Sequence, residues 1–308
     1  MKSLQFRFVE LILKYFSHRN IFKLQGRELR DYLEKTKGNR KISPPEFIIR
    51  KFKIRNELIQ GRPCYIINPR EESGSPKPGG GSSAVFFIHG GGYIFEANRI
   101  HWQAVSRLVS KLGIPVYFPV YPLLPDNTLE EALVMITESF NLMKMEFSPD
   151  TIAALGDSAG ANLALALCHQ NKSQGLSMPA KLILISPAMA GEDDPDILEA
   201  MNRQANCDVM FDMQYFHSLG EIMDIQKKNS LTVPMMGDFS DFPDMHIFSG
   251  TCETFYPQVR AFAERLKTQG VRANFCFGEG MMHVWPYMPA ARECREALNA
   301  ILRIIDSE

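Results

Sequence analysis

One stretch, Ile152-Ala153-Ala154-Leu155-Gly156-Asp157-Ser158-Ala159-Gly160-Ala161-Asn162-Leu163, constrains this chain more than any other. An apolar, strand-like run enters a turn that carries two glycines, and a segment rich in alanine and leucine leaves it with helical character. A turn this sharp has no room for side chains at Gly156 and Gly160, because bulky neighbours would collide. Its strain projects the hydroxyl that lies between them. Ser158 therefore stands where a strand ends and a helix starts, and the chain must supply a sheet for the one and a packing surface for the other.

The flanking sequence supplies both. Ala84-Val85-Phe86-Phe87-Ile88 is apolar without interruption, as in a strand buried on both faces of a parallel sheet. Helix and strand patterns then alternate. A helix near Asn98 to Leu112 precedes Val116-Tyr117-Phe118, and one near Leu129 to Met145 precedes Ile152 to Leu155. The helix after Ser158, through Cys168, precedes Leu182-Ile183-Leu184-Ile185. Met245 to Phe248, a helix from Pro257 to Gln269, Ala273 to Phe277 and a last helix from Ala290 to Ile305 complete the series. This rhythm predicts an α/β fold, a mostly parallel central sheet flanked by helices.

Other segments depart from the rhythm. Phe6, Val9, Leu13 and Phe16 recur at helical spacing, so one face of that helix must bury against something, and a second helix is expected from Glu28 to Lys37. Phe52 to Ile59 alternates with period two and Cys64 to Ile67 resumes after Gly61-Arg62-Pro63, which reads as an antiparallel edge hairpin. Glu71 to Ser83 is a loop whose Gly79-Gly80-Gly81 follows neither a strand nor a histidine. Between Pro187 and Asp241 methionines and acidic residues are scattered around two helices, near Asp196 to Gln204 and Met213 to Met223, and this insertion reads as a cap.

A chain of 308 residues buries a large core, and one catalytic domain over residues 1–308 is expected. Cysteines 64, 168, 207, 252, 276 and 294 form no C-x-x-C pair and no cluster with histidine at metal-ligand spacing, so reduced thiols, no zinc and no other metal are expected. Arg7, Glu10 and Lys14 interrupt the first apolar stretch and no small-residue cleavage site follows, against a signal peptide. Nothing approaches a spanning run of ~18 apolar residues. A cytoplasmic location is the resulting expectation. The net charge is −1, yet the first 55 residues hold 15 Lys/Arg against 5 Asp/Glu. Such charges usually cover the solvated faces of amphipathic helices; contact with an anionic membrane is the alternative, and less favoured, reading.

The chemistry follows from Ser158. A serine hydroxyl is a poor nucleophile until an imidazole accepts its proton. Of the later histidines, His169 lies on the helix leaving the serine, His217 in the insertion and His246 within a strand, whereas His283 follows the last strand in Gly278-Glu279-Gly280-Met281-Met282-His283-Val284-Trp285. Ligand sites of open α/β sheets gather at such strand ends. The acid that orients the imidazole belongs just past the preceding strand, where Ser249-Gly250-Thr251-Cys252 leads to Glu253. Asp241 and Asp244 lie at the wrong end of that strand, Glu264 on a helix surface and Glu279 too near His283 in the chain. Directly after the strand ending at Ile88 come His89-Gly90-Gly91-Gly92, and the N–H groups of Gly91, Gly92 and Ala159 are the expected oxyanion donors. G-x-G-x-x-G and G-x-x-x-x-G-K-[ST] are absent, so no nucleotide cofactor and no nucleic-acid partner is expected.

With these residues in place the chain resembles the hormone-sensitive-lipase-like carboxylesterases of the α/β-hydrolase superfamily. The resemblance runs from about Ala84 to Trp285, on His89-Gly90-Gly91-Gly92-Tyr93, Tyr121-Pro122-Leu123-Leu124-Pro125-Asp126, Gly156 to Leu163 and the Met282-His283 loop. It implies an α/β-hydrolase fold with Ser158 as nucleophile, His283 as base and Glu253 at the acid position. It also implies a helical cap from residues 1–38 and 187–241. Two motifs depart from the family: Glu253-Thr254-Phe255 stands where Asp-Pro-Leu is usual, and Tyr121 to Asp126 varies Tyr-Arg-Leu-Ala-Pro-Glu.

The expected activity is cofactor-free hydrolysis of a small ester with a short acyl group, through an acyl-enzyme. The same triad also suits amides, including an arylformamidase reaction, and a ligand-binding protein that has kept the fold without catalysis is the third reading. Met189, Met201, Met210, Met213, Met223, Met235 and Met236 either line an adaptable pocket or fill the cap core. The strand after Arg272 is a candidate edge for pairing two subunits.

Overall fold

The computed structural model describes residues 2–16, 24–69, 83–188, 194–211, 213–223, 233–288 and 291–307. The apolar runs become the strands β1 (Ile54–Ile59), β2 (Arg62–Ile67), β3 (Ala84–Ile88), β4 (Val116–Pro119), β5 (Ile152–Asp157), β6 (Lys181–Ile185), β7 (Asp244–Gly250) and β8 (Ala273–Gly278). They form a sheet of order β1-β2-β4-β3-β5-β6-β7-β8. The hairpin β1–β2 and the pair β2–β4 are antiparallel, and every pairing from β4 through β8 is parallel.

The helices are α1 (Leu4–Phe16), α2 (Gly26–Thr36), α3 (Glu46–Ile49), α4 (Arg99–Leu112), α5 (Leu129–Lys144), α6 (Ala159–Ser173), α7 (Pro195–Ala205), α8 (Met213–Met223), α9 (Tyr256–Thr268) and α10 (Arg292–Asp306). Capping residues set two of the starts. Asn98 accepts the N–H groups of Ile100 and His101 at the head of α4. Thr128 and Glu131 form a reciprocal box at the head of α5. The single-turn α3 was not legible in the sequence, because four residues carry no helical period.

Strand pleat divides the core into two layers. Phe86 and Ile88 point to the layer shared with Phe140 of α5, Leu165 of α6 and Phe262 of α9. Val85 and Phe87 point to the layer shared with Trp102 of α4 and Ile301 of α10. Helices therefore cover both faces, which explains why β3 shows no polar alternation. The face of α1 that carries Phe6 buries in the second layer, with Val9 and Leu13 packed beside it. Its start is tied to α10 by hydrogen bonds from Ser3 to Glu293. The opposite side leaves Leu4, Phe8 and Leu11 exposed. The loop 71–82 with Gly79-Gly80-Gly81, Met189 and the side chain of Phe16 lie outside the described residues.

Candidate active site

Placement of β5 beside β3 and β6 puts its end in mid-sheet, with Ile88 paired to Gly156 and Asp157 to Ile185. Ser158 follows at φ 50° and ψ −121°, outside both strand and helix geometry. This left-handed φ is costly for a residue with a side chain. The surroundings hold it: the Ser158 N–H donates to the Ile185 carbonyl at 2.9 Å, and its own carbonyl accepts from Ala161 at 3.1 Å. A β-carbon on Gly160 would lie 2.1 Å from the Ile88 carbonyl oxygen, and one on Gly156 would lie 2.5 Å from that of Gly160. The glycines let strand, turn and helix touch.

Glu253 lies just past the end of β7 and is fully buried. Its Oε1 accepts the Ser249 hydroxyl and the Gly250 N–H, the latter at 3.1 Å. Oε2 lies 2.8 Å from Nδ1 of His283. A carboxylate there accepts the Nδ1 proton and leaves Nε2 as the lone-pair nitrogen. Nε2 is buried and has no hydrogen-bond partner among the described residues, Ser158 included. The loop that carries His283 is pinned on both sides. The Cys252 N–H donates to Met281 at 2.9 Å, and the Val284 N–H to the Ser186 hydroxyl at 2.9 Å. Phe211 meets the imidazole edge-on, with ring centroids 4.8 Å apart.

At the end of β3 the Gly91 carbonyl accepts from Ile94 and Phe95 and turns the chain. Gly91 sits at φ +117° and Gly92 at +60°. Among the described residues their N–H groups have no protein acceptor, and that of Ala159 opens α6, where no intrahelical acceptor exists. His89 stacks on Tyr121 at 4.4 Å, and burial pushes its imidazole down to about 3, so it stays neutral. The Tyr121 hydroxyl donates to the His89 carbonyl at 2.8 Å.

A second polar set supports this loop. Asp157 accepts the Gly90 N–H at 3.2 Å through Oδ1 and faces Nε2 of His101 at 3.2 Å through Oδ2. Nδ1 of His101 accepts the Asn98 N–H at 3.0 Å, so the ring proton is on Nε2 and donates to Asp157. Asn162 donates to the Tyr93 hydroxyl at 3.0 Å and to the Ala188 carbonyl. Both side chains thus hold neighbouring segments. The pairing of His101 with Asp157 was missed in the sequence; its one trace is the N-x-x-H spacing from Asn98, which marks a helix start and not its partner.

The family model for the alpha/beta hydrolase fold matches residues 85–287. This chain belongs to the α/β-hydrolase family. A similar protein of Acinetobacter venetianus, named an esterase, is 27% identical over 259 residues, which cover 82% of this chain and 84% of the relative. An acetyl-hydrolase of Streptomyces hygroscopicus is 25% identical over 235 residues, 73% of this chain and 76% of that one. Among solved structures, the hormone-sensitive-lipase homologue EstE7 from a metagenome library superposes with a TM-score of 0.76 at 22% identity, covering 100% of this chain and 99% of its own. That likeness is one of fold.

In this α/β-hydrolase, Gly91, Gly92, Ser158, Ala159 and His283 line one cavity. Its other walls include Met210, Phe211, Tyr215, Phe216 and Leu219 from the insertion, and Phe255 after Glu253. Among the described residues, none of 1–38 lines it; α2 instead joins the insertion, with the Gly26 N–H on the Ser218 hydroxyl at 2.9 Å. Of the methionines weighed from the sequence, Met210 reaches the cavity. Met201, Met213, Met223 and Met235 are buried in the core, and Met236 is exposed.

The rival histidines are engaged elsewhere: Nε2 of His169 binds the Pro234 carbonyl, His246 pairs with Asp244, and His217 is exposed. Asp208, which no sequence pattern marked, accepts the Thr254 N–H and hydroxyl at 2.7 and 2.9 Å. Burial raises its carboxyl, against hydrogen bonds from Met210 and Thr254 and the nearby His283.

Proposed function

We propose that this chain, a carboxylic ester hydrolase by its kinship with the esterase and acetyl-hydrolase above, is a serine esterase acting through an acyl-enzyme on short-chain esters. The observation that carries the reading is the buried Glu253–His283 pair at 2.8 Å, with a lone-pair Nε2 left over in the cavity that Ser158 lines. Ser158 Oγ attacks the ester carbonyl while Nε2 takes its proton, and Glu253 stabilises the imidazolium through Nδ1–H. The N–H groups of Gly91, Gly92 and Ala159 receive the negative oxygen of the tetrahedral intermediate, each contributing ~3 kcal/mol in comparable sites. Nε2–H then protonates the leaving alcohol. Water enters, loses a proton to the same nitrogen and releases the acid. The aromatic wall of Phe211, Phe216 and Phe255 favours a short acyl group.

We further propose one domain over residues 1–308, with 1–38 and 187–241 as its cap. Turnover of p-nitrophenyl acetate by Ser158→Ala tests the mechanism. A fall of ~10⁴-fold or more is expected; activity retained at the wild-type level rules the mechanism out.

A further inference from the structure

Two of the six cysteines, far apart in the sequence, meet where the cap segment crosses the loop of Glu253. The Cys252 thiol donates to the Cys207 carbonyl at 3.1 Å. The Cys207 sulfur lies 3.5 Å from the Gln204 amide nitrogen, and that amide donates in turn to the Thr251 carbonyl. One residue along, Asp208 holds Thr254 by two hydrogen bonds. Cys207-Asp208 and Thr251 to Thr254 therefore run side by side, with both thiols at the crossing. Both are free thiols here.

We propose that Cys207 and Cys252 are an oxidation site at which a peroxide forms an intrachain disulfide, stapling the cap segment to the loop that carries Glu253. The remaining thiols do not share this arrangement: Cys64, Cys168 and Cys294 are buried in the core, and Cys276 is on strand β8. Exposure decides the order of events. Cys207 is exposed and Cys252 half-buried, and burial together with the neighbouring Cys207 thiol pushes Cys252 up to about 12. Cys207 is therefore the thiol that meets the oxidant. Its thiolate attacks one peroxide oxygen, breaking the O–O bond, to give a sulfenic acid and one water. The Cys252 sulfur, giving up its proton, then displaces hydroxide from that sulfenic acid. The S–S bond forms and a second water leaves, so two thiols are oxidised as one peroxide is reduced.

The staple closes a loop across the cap and spares the reacting groups. Met210 and Phe211, three and four residues past Cys207, line the cavity, so oxidation fixes one cavity wall to the loop of the acid. In the chain-entropy view a closure of this length raises the melting temperature by about 5 °C or more.

The test treats the full chain with hydrogen peroxide and maps it without reduction. Trypsin places Cys207 in residues 204–227 and Cys252 in residues 229–260, with no other cysteine in either peptide. The expected product is these two peptides joined, two hydrogens lighter than their sum, from monomeric protein. It is absent from Cys207→Ser and Cys252→Ser and reversed by a phosphine reductant, and Cys207→Ser keeps the hydrolytic activity of the reduced enzyme. Oxygen added at Cys207 without a cross-link, or a link only between chains, overturns the proposal. The readout is a mass, so it stands or falls apart from the serine mechanism.

Discussion

Replacing Glu253 with glutamine changes one oxygen to an amide nitrogen and keeps the shape, so its effect follows from hydrogen-bond direction alone. In the native site Oε1 faces two donors, the Ser249 hydroxyl and the Gly250 N–H. Hydrogen bonds to a charged oxygen are worth ~1.5–3 kcal/mol each and a buried donor left unmet costs a similar amount. The glutamine carbonyl therefore stays with Ser249 and Gly250, because turning it away costs ~3 kcal/mol or more. The amide NH₂ then faces Nδ1 of His283, where the carboxylate stood at 2.8 Å. A donor there forces Nδ1 to become the acceptor and moves the ring proton to Nε2. In the proposed mechanism that nitrogen can then no longer take the Ser158 proton.

The equivalent tautomer error costs ~10⁴-fold in kcat in a triad of the same logic, about 5.5 kcal/mol of transition-state stabilisation. Glu253→Gln is thus expected to lower kcat on p-nitrophenyl acetate by ~10³–10⁴-fold with KM nearly unchanged. The melting temperature stays close to wild type, since both donors remain satisfied. Turnover within tenfold of wild type would show that Glu253 does not set the tautomer, and the reasoning would be wrong.

Three further outcomes follow from the same geometry. Gly160→Ala places a β-carbon 2.1 Å from the Ile88 carbonyl oxygen, a backbone atom that cannot swing aside; thermal unfolding should show a loss of at least ~2–3 kcal/mol, and an unchanged melting temperature contradicts it. His101→Leu removes the donor that fixes Asp157 and, through it, the Gly90 N–H. Steady-state kinetics should give kcat ~10²-fold lower at similar KM, with substantial recovery in His101→Gln, whose amide again donates; equal loss in both variants contradicts a positioning part. Phe216→Ala and Leu219→Ala open the cavity wall, so kcat/KM on p-nitrophenyl octanoate relative to acetate should rise several-fold, at ~0.8 kcal/mol per buried methylene. An unaltered ratio places the acyl chain elsewhere.

Much of the framework was legible because local sequence and global fold agree. β3 is buried on both faces, so its five apolar residues read as a parallel strand and its limits match, and the glycines of the elbow announced a turn that no other residue tolerates. Boundaries were less legible. β5 runs on to Asp157 and α6 to Ser173, because hydrogen bonding carries an element past the end of its apolar pattern. Partner choice was hardest to read. Glu253 and His283 followed from their positions after strands, but Asp208 meets Thr254 only because the insertion folds back over the sheet. The part of Ser186, which accepts the Val284 N–H and so holds the His283 loop, likewise depends on contacts 98 residues apart. Methionines 201, 213, 223 and 235 fill the core because their neighbours surround them, which composition does not encode.

The most direct measurement on the central claim is peptide mapping after reaction with a fluorophosphonate. One adduct is expected, on Ser158, rising in step with the loss of esterase activity and strongly slowed in His283→Ala. Complete modification at another residue with loss of activity, or full hydrolysis by protein that carries the label on Ser158, contradicts it.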